Sequence, residues 1–326
     1  MEEDYMETRI EEIARLLIDK LLAVRREENV MIIVDEDSEM RMARSLFNKS
    51  KSVGGNPIIT IMPSNWHSHT TLPKPIQKSL EATDVVIGMT RRTAAPSYDP
   101  IVAKLLREKR IRYMSMVLRP LDNYINGAAL ADYDEVYKMA EKLADKMHGS
   151  RIKVVTSLGT NIEASIEGSK VIIEAGFATK PGESAAFSDG EVSYTPIEGT
   201  ANGVVVVDGP IAYIGKPEKP VTLKVKEGRV IGVEGGREAE ILRRMIEETV
   251  NLDNFAEFGI GVNRAARRNG YWQEEKKAWG NLHIALGDNI YYGGKVKCDK
   301  HMDLVIYNST VTVDDRVILK EGKLLI

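Results

Sequence analysis

The chain has 326 residues, 43% hydrophobic and 29% charged, with 45 Lys+Arg against 48 Asp+Glu and a formal net charge of -3. That length exceeds what one hydrophobic core comfortably serves and predicts two domains, while the even charge balance argues against a nucleic-acid surface, which needs a basic face. No window reaches eighteen uncharged apolar residues, so no membrane span is expected; the single cysteine, Cys298, precludes an internal disulfide and agrees with a cytoplasmic address.

The first segment, MEEDYMETRIEEIARLLIDKLLAV, is acidic and then amphipathic, unlike the basic start and unbroken apolar run of a secretory signal, and reads as a helix. Four β-branched runs follow, NVMIIVDE, NPIITIMP, TDVVIGMT and IRYMSMVL, each bounded by turn formers. Between them, SEMRMARSLFNKSKSVGG, KPIQKSLEA and DPIVAKLLREK carry helical spacing with caps or glycine stops. Strands alternating with helices predict a parallel sheet covered on both faces. After a last helix, YDEVYKMAEKLADKMHGS, the texture changes to alternating strands joined by DG, EG and GG turns, which predict antiparallel pairing, with one helix, REAEILRRMIEETVN, interrupting them. The expected division is an α/β N-terminal domain over residues 1–149 and a β-rich α+β C-terminal domain over residues 150–326 that carries the chemistry.

Familiar motifs are few. The G-x-G of GIGVN (Gly259, Gly261) lacks a third glycine and an early βαβ context, so it is a poor dinucleotide fingerprint, and neither a phosphate-binding loop nor a G-x-S-x-G elbow is present. His67 and His69 of WHSH share one side of an extended segment, but two ligands are too few for a tight metal site and a solvated loop is expected. His148 ends a helix, where its charge suits the dipole. The segment HIALGDNIYYGGKVKCDKHMD, by contrast, holds two of the five histidines. His301 and Asp303 stand at i and i+2 at the entry to a strand and would leave the same face. His283 opens an apolar run where an unpartnered imidazole would be awkwardly buried. Glu257 lies among phenylalanines and glycines, a costly place for a carboxylate without a compensating cation, and Glu191 starts another strand beside a glycine. Together these five predict a divalent-metal cluster. Gly287, Gly293 and Gly294 would let the chain turn and bring His283 back towards His301. Cys298 is discounted as a ligand.

The segments SLGTNIEASIEG, SDGEVSYTPIEGTANGVVVVDG, AEFGIGVN, HIALGDN and KHMDLV, in this order, resemble the M29 metallo-aminopeptidases, the aminopeptidase T/S family. The resemblance covers nearly all of the second half; the first half agrees in its α/β pattern. It implies a ligand set of Glu191, Glu257, His283, His301 and Asp303 with a tyrosine after HIALG, either Tyr291 or Tyr292, Tyr291 being favoured. Two divalent ions (zinc, cobalt or manganese) would then activate a water that removes N-terminal residues from short peptides, with Glu191, Glu257 and Tyr291 as candidate catalytic groups. A homodimer or larger assembly is also implied. The chain is similar as well to the 2,5-dihydroxypyridine ring-opening dioxygenases, which share the architecture and hold one ferrous iron by a histidine and an H-x-D pair; the chain keeps that pair as His301 and Asp303. On that second reading Glu191 and Glu257 are bystanders or substrate contacts, and their presence tips the expectation towards hydrolysis.

Overall fold

β-branched runs flanked by turn formers favour the pleated backbone, and all four of those in the first half form strands. In the computed structural model, which describes residues 2–326, β1 (Asn29–Asp35), β2 (Asn56–Met62), β3 (Val85–Gly88) and β4 (Arg112–Ser115) pair in parallel in the order β2-β1-β3-β4. Beyond its first residue β1 is buried throughout, as befits a central strand with both faces covered. Met31, Ile33, Val86, Ile76, Val102 and Leu105 share one core cluster with residues of the intervening helices. The helix Pro100–Arg107 begins with proline in its first turn, and the Asp99 carboxylate accepts from the amide of Ile101 at 2.7 Å. The first helix, Glu2–Arg15, continues as a π-helical stretch, Leu16–Leu21, that buries Leu17, Ile18 and Leu21. Its end is tied to β4 by Arg112, which donates to the carbonyls of Leu22 and Ala23 and pairs with both carboxylate oxygens of Glu28, at 2.9 and 2.6 Å.

The remaining strands are β5 (Arg151–Val155), β6 (Asn161–Ser165), β7 (Ile172–Glu174), β8 (Ser184–Ala186), β9 (Glu191–Tyr194), β10 (Asn202–Val207), β11 (Val221–Lys226), β12 (Arg229–Glu234), β13 (Phe255–Gly261), β14 (Leu282–Gly287), β15 (His301–Ile306), β16 (Thr310–Val313), β17 (Arg316–Lys320) and β18 (Lys323–Leu324). One antiparallel sheet of eight runs β12-β11-β10-β6-β5-β16-β17-β18, and another of five runs β15-β14-β13-β9-β7. The EG turns act as expected: Glu227-Gly228 joins β11 to β12 with both residues at positive φ (49° and 72°), the backbone of a tight hairpin turn.

The expected cut at residue 149 is not where the contacts divide. The chain forms two compact units, one running to Leu130 and resuming at Gly176–Asp189, the other Ala131–Ala175 with Gly190–Ile326. The helix Tyr133–Met147 belongs to the second unit because its apolar face, Val136, Met139, Ala140, Leu143 and Met147, enters that unit's core with Val192, Tyr194 and Phe258. Conversely β8, in a segment that reads as a serine-rich loop, adds a fifth parallel strand to the first sheet beside β4. The change of texture after residue 149 marks where helix gives way to hairpin, whereas the boundary follows the buried faces. Among the described residues no helix is long and apolar enough to cross a membrane.

Candidate metal centre

Cross-strand register on one face of the five-stranded sheet builds the site, since directly opposed residues of paired strands project to the same side. Glu191 of β9 opposes Gly261 of β13, Gly259 opposes His283 of β14, and Glu257 opposes Ala285. Ala285 in turn opposes Asp303 of β15, and Gly287 opposes His301. Long polar side chains thus alternate with glycine or alanine across the face, and the small residues leave the space that the large ones fill. This explains the GIGVN glycines, which serve close packing across the sheet. A Cβ on Gly259 would lie 2.2 Å from Cε1 and 2.3 Å from Nε2 of His283, and one on Gly261 would lie 2.2 Å from the Ala278 carbonyl. Proximity of His283 to His301 comes from this β14–β15 pairing; of the glycines expected to turn the chain, Gly287 and Gly293 take positive φ.

All five expected ligands converge. Nε2 of His283 lies 3.5 Å from Glu191 Oε2, 3.5 Å from Glu257 Oε1 and 3.9 Å from Asp303 Oδ1. Nε2 of His301 lies 3.4 Å from Asp303 Oδ1 and 2.8 Å from Glu257 Oε2. Glu191, Glu257 and His283 are wholly buried, yet Glu191 Oε2, Glu257 Oε1, Asp303 Oδ1 and His283 Nε2 have no hydrogen-bond partner in the protein. Leaving such groups unmet costs about 1–3 kcal/mol apiece, a cost that metal binding would remove; the donors form two overlapping groups, Glu191, Glu257 and His283, and Glu257, His301 and Asp303. Ligand atoms in tetrahedral directions around an ion about 2.1 Å away stand roughly 3.4 Å apart, close to the separations here. The donor set, imidazole nitrogen and carboxylate oxygen without sulfur, fits iron, zinc, manganese or cobalt.

The electrostatics agree. Burial pushes the Glu257 carboxyl up, but the adjacent His283 and His301 imidazoles outweigh it and hold the pKa down at about 2. Glu191 is likewise held well below the usual range, burial being outweighed by Lys276, Lys277 and His283; Asp303 is lowered against burial by Lys276 and His301. The ring of His301 is fixed from behind: Nδ1 is 2.7 Å from the Asp288 carbonyl, which can only accept, so Nδ1 carries the proton and Nε2 faces the carboxylates.

Of the two candidate tyrosines, it is Tyr292, not the favoured Tyr291, that packs against the cluster. Tyr292 is 7% exposed and stacks on His301 with ring centroids 5.3 Å apart, while Tyr291 is 53% exposed and meets Tyr292 edge-on. The tight turn closed by Tyr292 and Gly294 amides on the Asn289 carbonyl sends the two neighbours apart. Burial and the nearby carboxylates push the Tyr292 phenol well above its ordinary pKa, so it stays protonated.

Two lysines escaped the sequence reading. Lys276 Nζ is 3.3 Å from both Glu191 Oε1 and Asp303 Oδ2, and Lys277 Nζ is 2.8 Å from Glu191 Oε1. They sit in QEEKK, a run that resembles a solvated charged surface but is buried, with Glu274 paired to Arg267 and Glu275 bonded to Tyr307. The available signal was Gly261, whose missing Cβ admits the Lys277–Ala278 backbone beside Glu191. His67 and His69 are exposed, and neither they nor Cys298 join a metal-competent group among the described residues.

Residues 17–326 match the family model for 2,5-dihydroxypyridine 5,6-dioxygenase. The chain belongs to that family. A 2,5-dihydroxypyridine 5,6-dioxygenase of Pseudomonas putida KT2440 is 24% identical over 260 residues, covering 76% of this chain and 72% of its own. The solved structure of 2,5-dihydroxypyridine dioxygenase from the same organism has a similar fold, with a TM-score of 0.80 at 20% identity over 98% of this chain and 96% of that one. AmpT from Thermus thermophilus is similar at a TM-score of 0.73 and 13% identity over 98% and 99%. Membership of the 2,5-dihydroxypyridine dioxygenase family reverses the expected order, in which the metallo-aminopeptidases stood first; what this chain has in common with AmpT is the fold.

Proposed function

We propose that the protein is a mononuclear iron(II) dioxygenase that opens the ring of a dihydroxylated N-heteroaromatic substrate of the 2,5-dihydroxypyridine type. The observation that carries this reading is that His283 Nε2 and His301 Nε2 both lie near Asp303 Oδ1, at 3.9 and 3.4 Å, in a chain of that family. Two histidines and one carboxylate on one side of an ion, with further positions open, are the donor set of non-haem iron oxygenases. The substrate class comes from the name of the Pseudomonas putida relative. When bound, iron(II) supplies the one-electron reactivity that a closed-shell diol needs to react with dioxygen.

The chain's own groups prepare the place. Glu257, anionic down to a pKa of about 2, sets its Oε2 2.8 Å from His301 Nε2 and brings negative charge to the place where the cation would sit. Tyr292 covers the other face of the same ring. Complete burial of Glu191, Glu257 and His283 keeps bulk water from the donor atoms and strengthens every charge interaction among them. Peptide hydrolysis by a two-metal centre is the reading this one replaces.

The test is metal content and reaction on protein purified anaerobically without chelator. The expected result is one iron per chain, with oxygen uptake equimolar to 2,5-dihydroxypyridine consumed and no release of nitroaniline from aminoacyl nitroanilides. Two zinc or cobalt ions per chain, with amide hydrolysis and no oxygen uptake, would overturn it.

A further inference from the structure

Two carboxylates of the centre divide their oxygens. Glu191 Oε2 and Asp303 Oδ1 have no hydrogen-bond partner in the protein. Glu191 Oε1 receives Lys276 and Lys277, and Asp303 Oδ2 receives Lys276. A carboxylate that bridges two metal ions divides itself in the same way, one oxygen to each. Lys276 Nζ, equidistant at 3.3 Å from Glu191 Oε1 and Asp303 Oδ2, therefore stands where a second ion would need those same two oxygens.

We propose that Lys276 takes the place of a second metal ion and holds the centre to one divalent cation, an inference that rests on the mononuclear reading above and names the residue responsible for it. Formal charge points the same way. Glu191, Glu257 and Asp303 bring three negative charges, and Lys276 and Lys277 two positive ones. One divalent cation leaves a single positive charge, which a singly deprotonated diol neutralises; a second would leave three, in a space with little water to screen them. Counting Glu174, opposite Glu191 on β7, as charged makes the one-ion total zero. The neighbouring Lys277 lies 2.8 Å from Glu191 Oε1.

The experiment uses manganese(II) as probe, with equilibrium dialysis to count ions and electron paramagnetic resonance to report whether they couple. Wild type and Lys276→Arg should each bind one ion per chain with an isolated six-line signal. Lys276→Glu and Lys276→Gln should bind two, the six-line signal being replaced by a spin-coupled one. The Gln variant removes the positive charge and the Glu variant reverses it, so one suffices if the other does not fold by circular dichroism. One ion per chain in either folded variant overturns the role of Lys276 and leaves the mononuclear reading intact. Two ions in wild type overturn the mononuclear reading, whatever the variants do.

Discussion

The sharpest test of how the sheet makes this site is Gly259→Ala. The new Cβ would start 2.2 Å from Cε1 and 2.3 Å from Nε2 of His283, and real Cβ atoms essentially never approach closer than 3.0 Å. The imidazole or strand β14 must therefore move by roughly 1 Å to restore contact distance. Neither neighbour gives easily, since β14 is hydrogen-bonded on both sides and His283 is fully buried. Metal sites tolerate about 0.2 Å in ligand distance, so a displacement of this size removes His283 from the donor set held 3.5 Å from Glu191 and Glu257. Iron(II) affinity should fall at least about 100-fold, roughly 2.7 kcal/mol at 1.36 kcal/mol per decade. The overpacking itself should cost about 1–3 kcal/mol of stability. Anaerobic iron titration reads the first effect, and urea unfolding in the presence of a chelator reads the second. Affinity within threefold of wild type at unchanged unfolding midpoint would refute the claim that Gly259 is there for the imidazole.

Tyr292→Ala removes the ring stacked on His301 and should weaken iron binding about 10–100-fold, as loss of a ligand's supporting group does, whereas Tyr291→Ala should change it less than about threefold because that side chain is half exposed; equal losses in calorimetric titration would return the assignment to Tyr291. In the first unit, Arg112 is 1% exposed and paired with Glu28, so Glu28→Gln should destabilise by about 2–3 kcal/mol at neutral pH. Burial raises the Glu28 carboxyl, but hydrogen bonds from Arg112 and the Arg25 amide lower it further than burial raises it. Its folded pKa therefore lies below the unfolded one, so the stabilisation is present above about pH 4.3 and is lost as pH falls through the folded value. Urea unfolding at pH 7 and near pH 3 should show the difference between wild type and variant shrink on acidification, and a constant difference would contradict the ion-pair account.

Elements whose burial pattern is local were legible before any coordinates. The runs NVMIIVDE and TDVVIGMT carry their own signal because a central parallel strand is apolar on both faces, and the EG turns carry theirs because few dipeptides accept two positive φ angles. The five clustered residues were legible by chemical awkwardness, as carboxylates and imidazoles in apolar or glycine-rich strands. What failed had its cause at a distance in sequence. Residue 149 is where helix ends and hairpins begin, but Val136 and Leu143 are committed to a core formed with residues 50 to 120 positions later. QEEKK has the composition of a surface because nothing within it says that Glu191, 85 residues earlier, will face Lys276.

The choice between hydrolysis and ring cleavage turns on the same kind of distant pairing. Glu191 and Glu257 favoured a two-metal centre when counted as donors, because a count of carboxylates says nothing about what else they meet. In the folded chain Glu191 Oε1 meets Lys276 and Lys277, and Asp303 Oδ2 meets Lys276, so each has one oxygen without a partner left to share. On the proposal above, those ammoniums leave room for one cation, and removing Lys276 would make room for two. On that proposal, metal number depends less on how many ligands a sequence contains than on which of their atoms the protein's own cations have already taken.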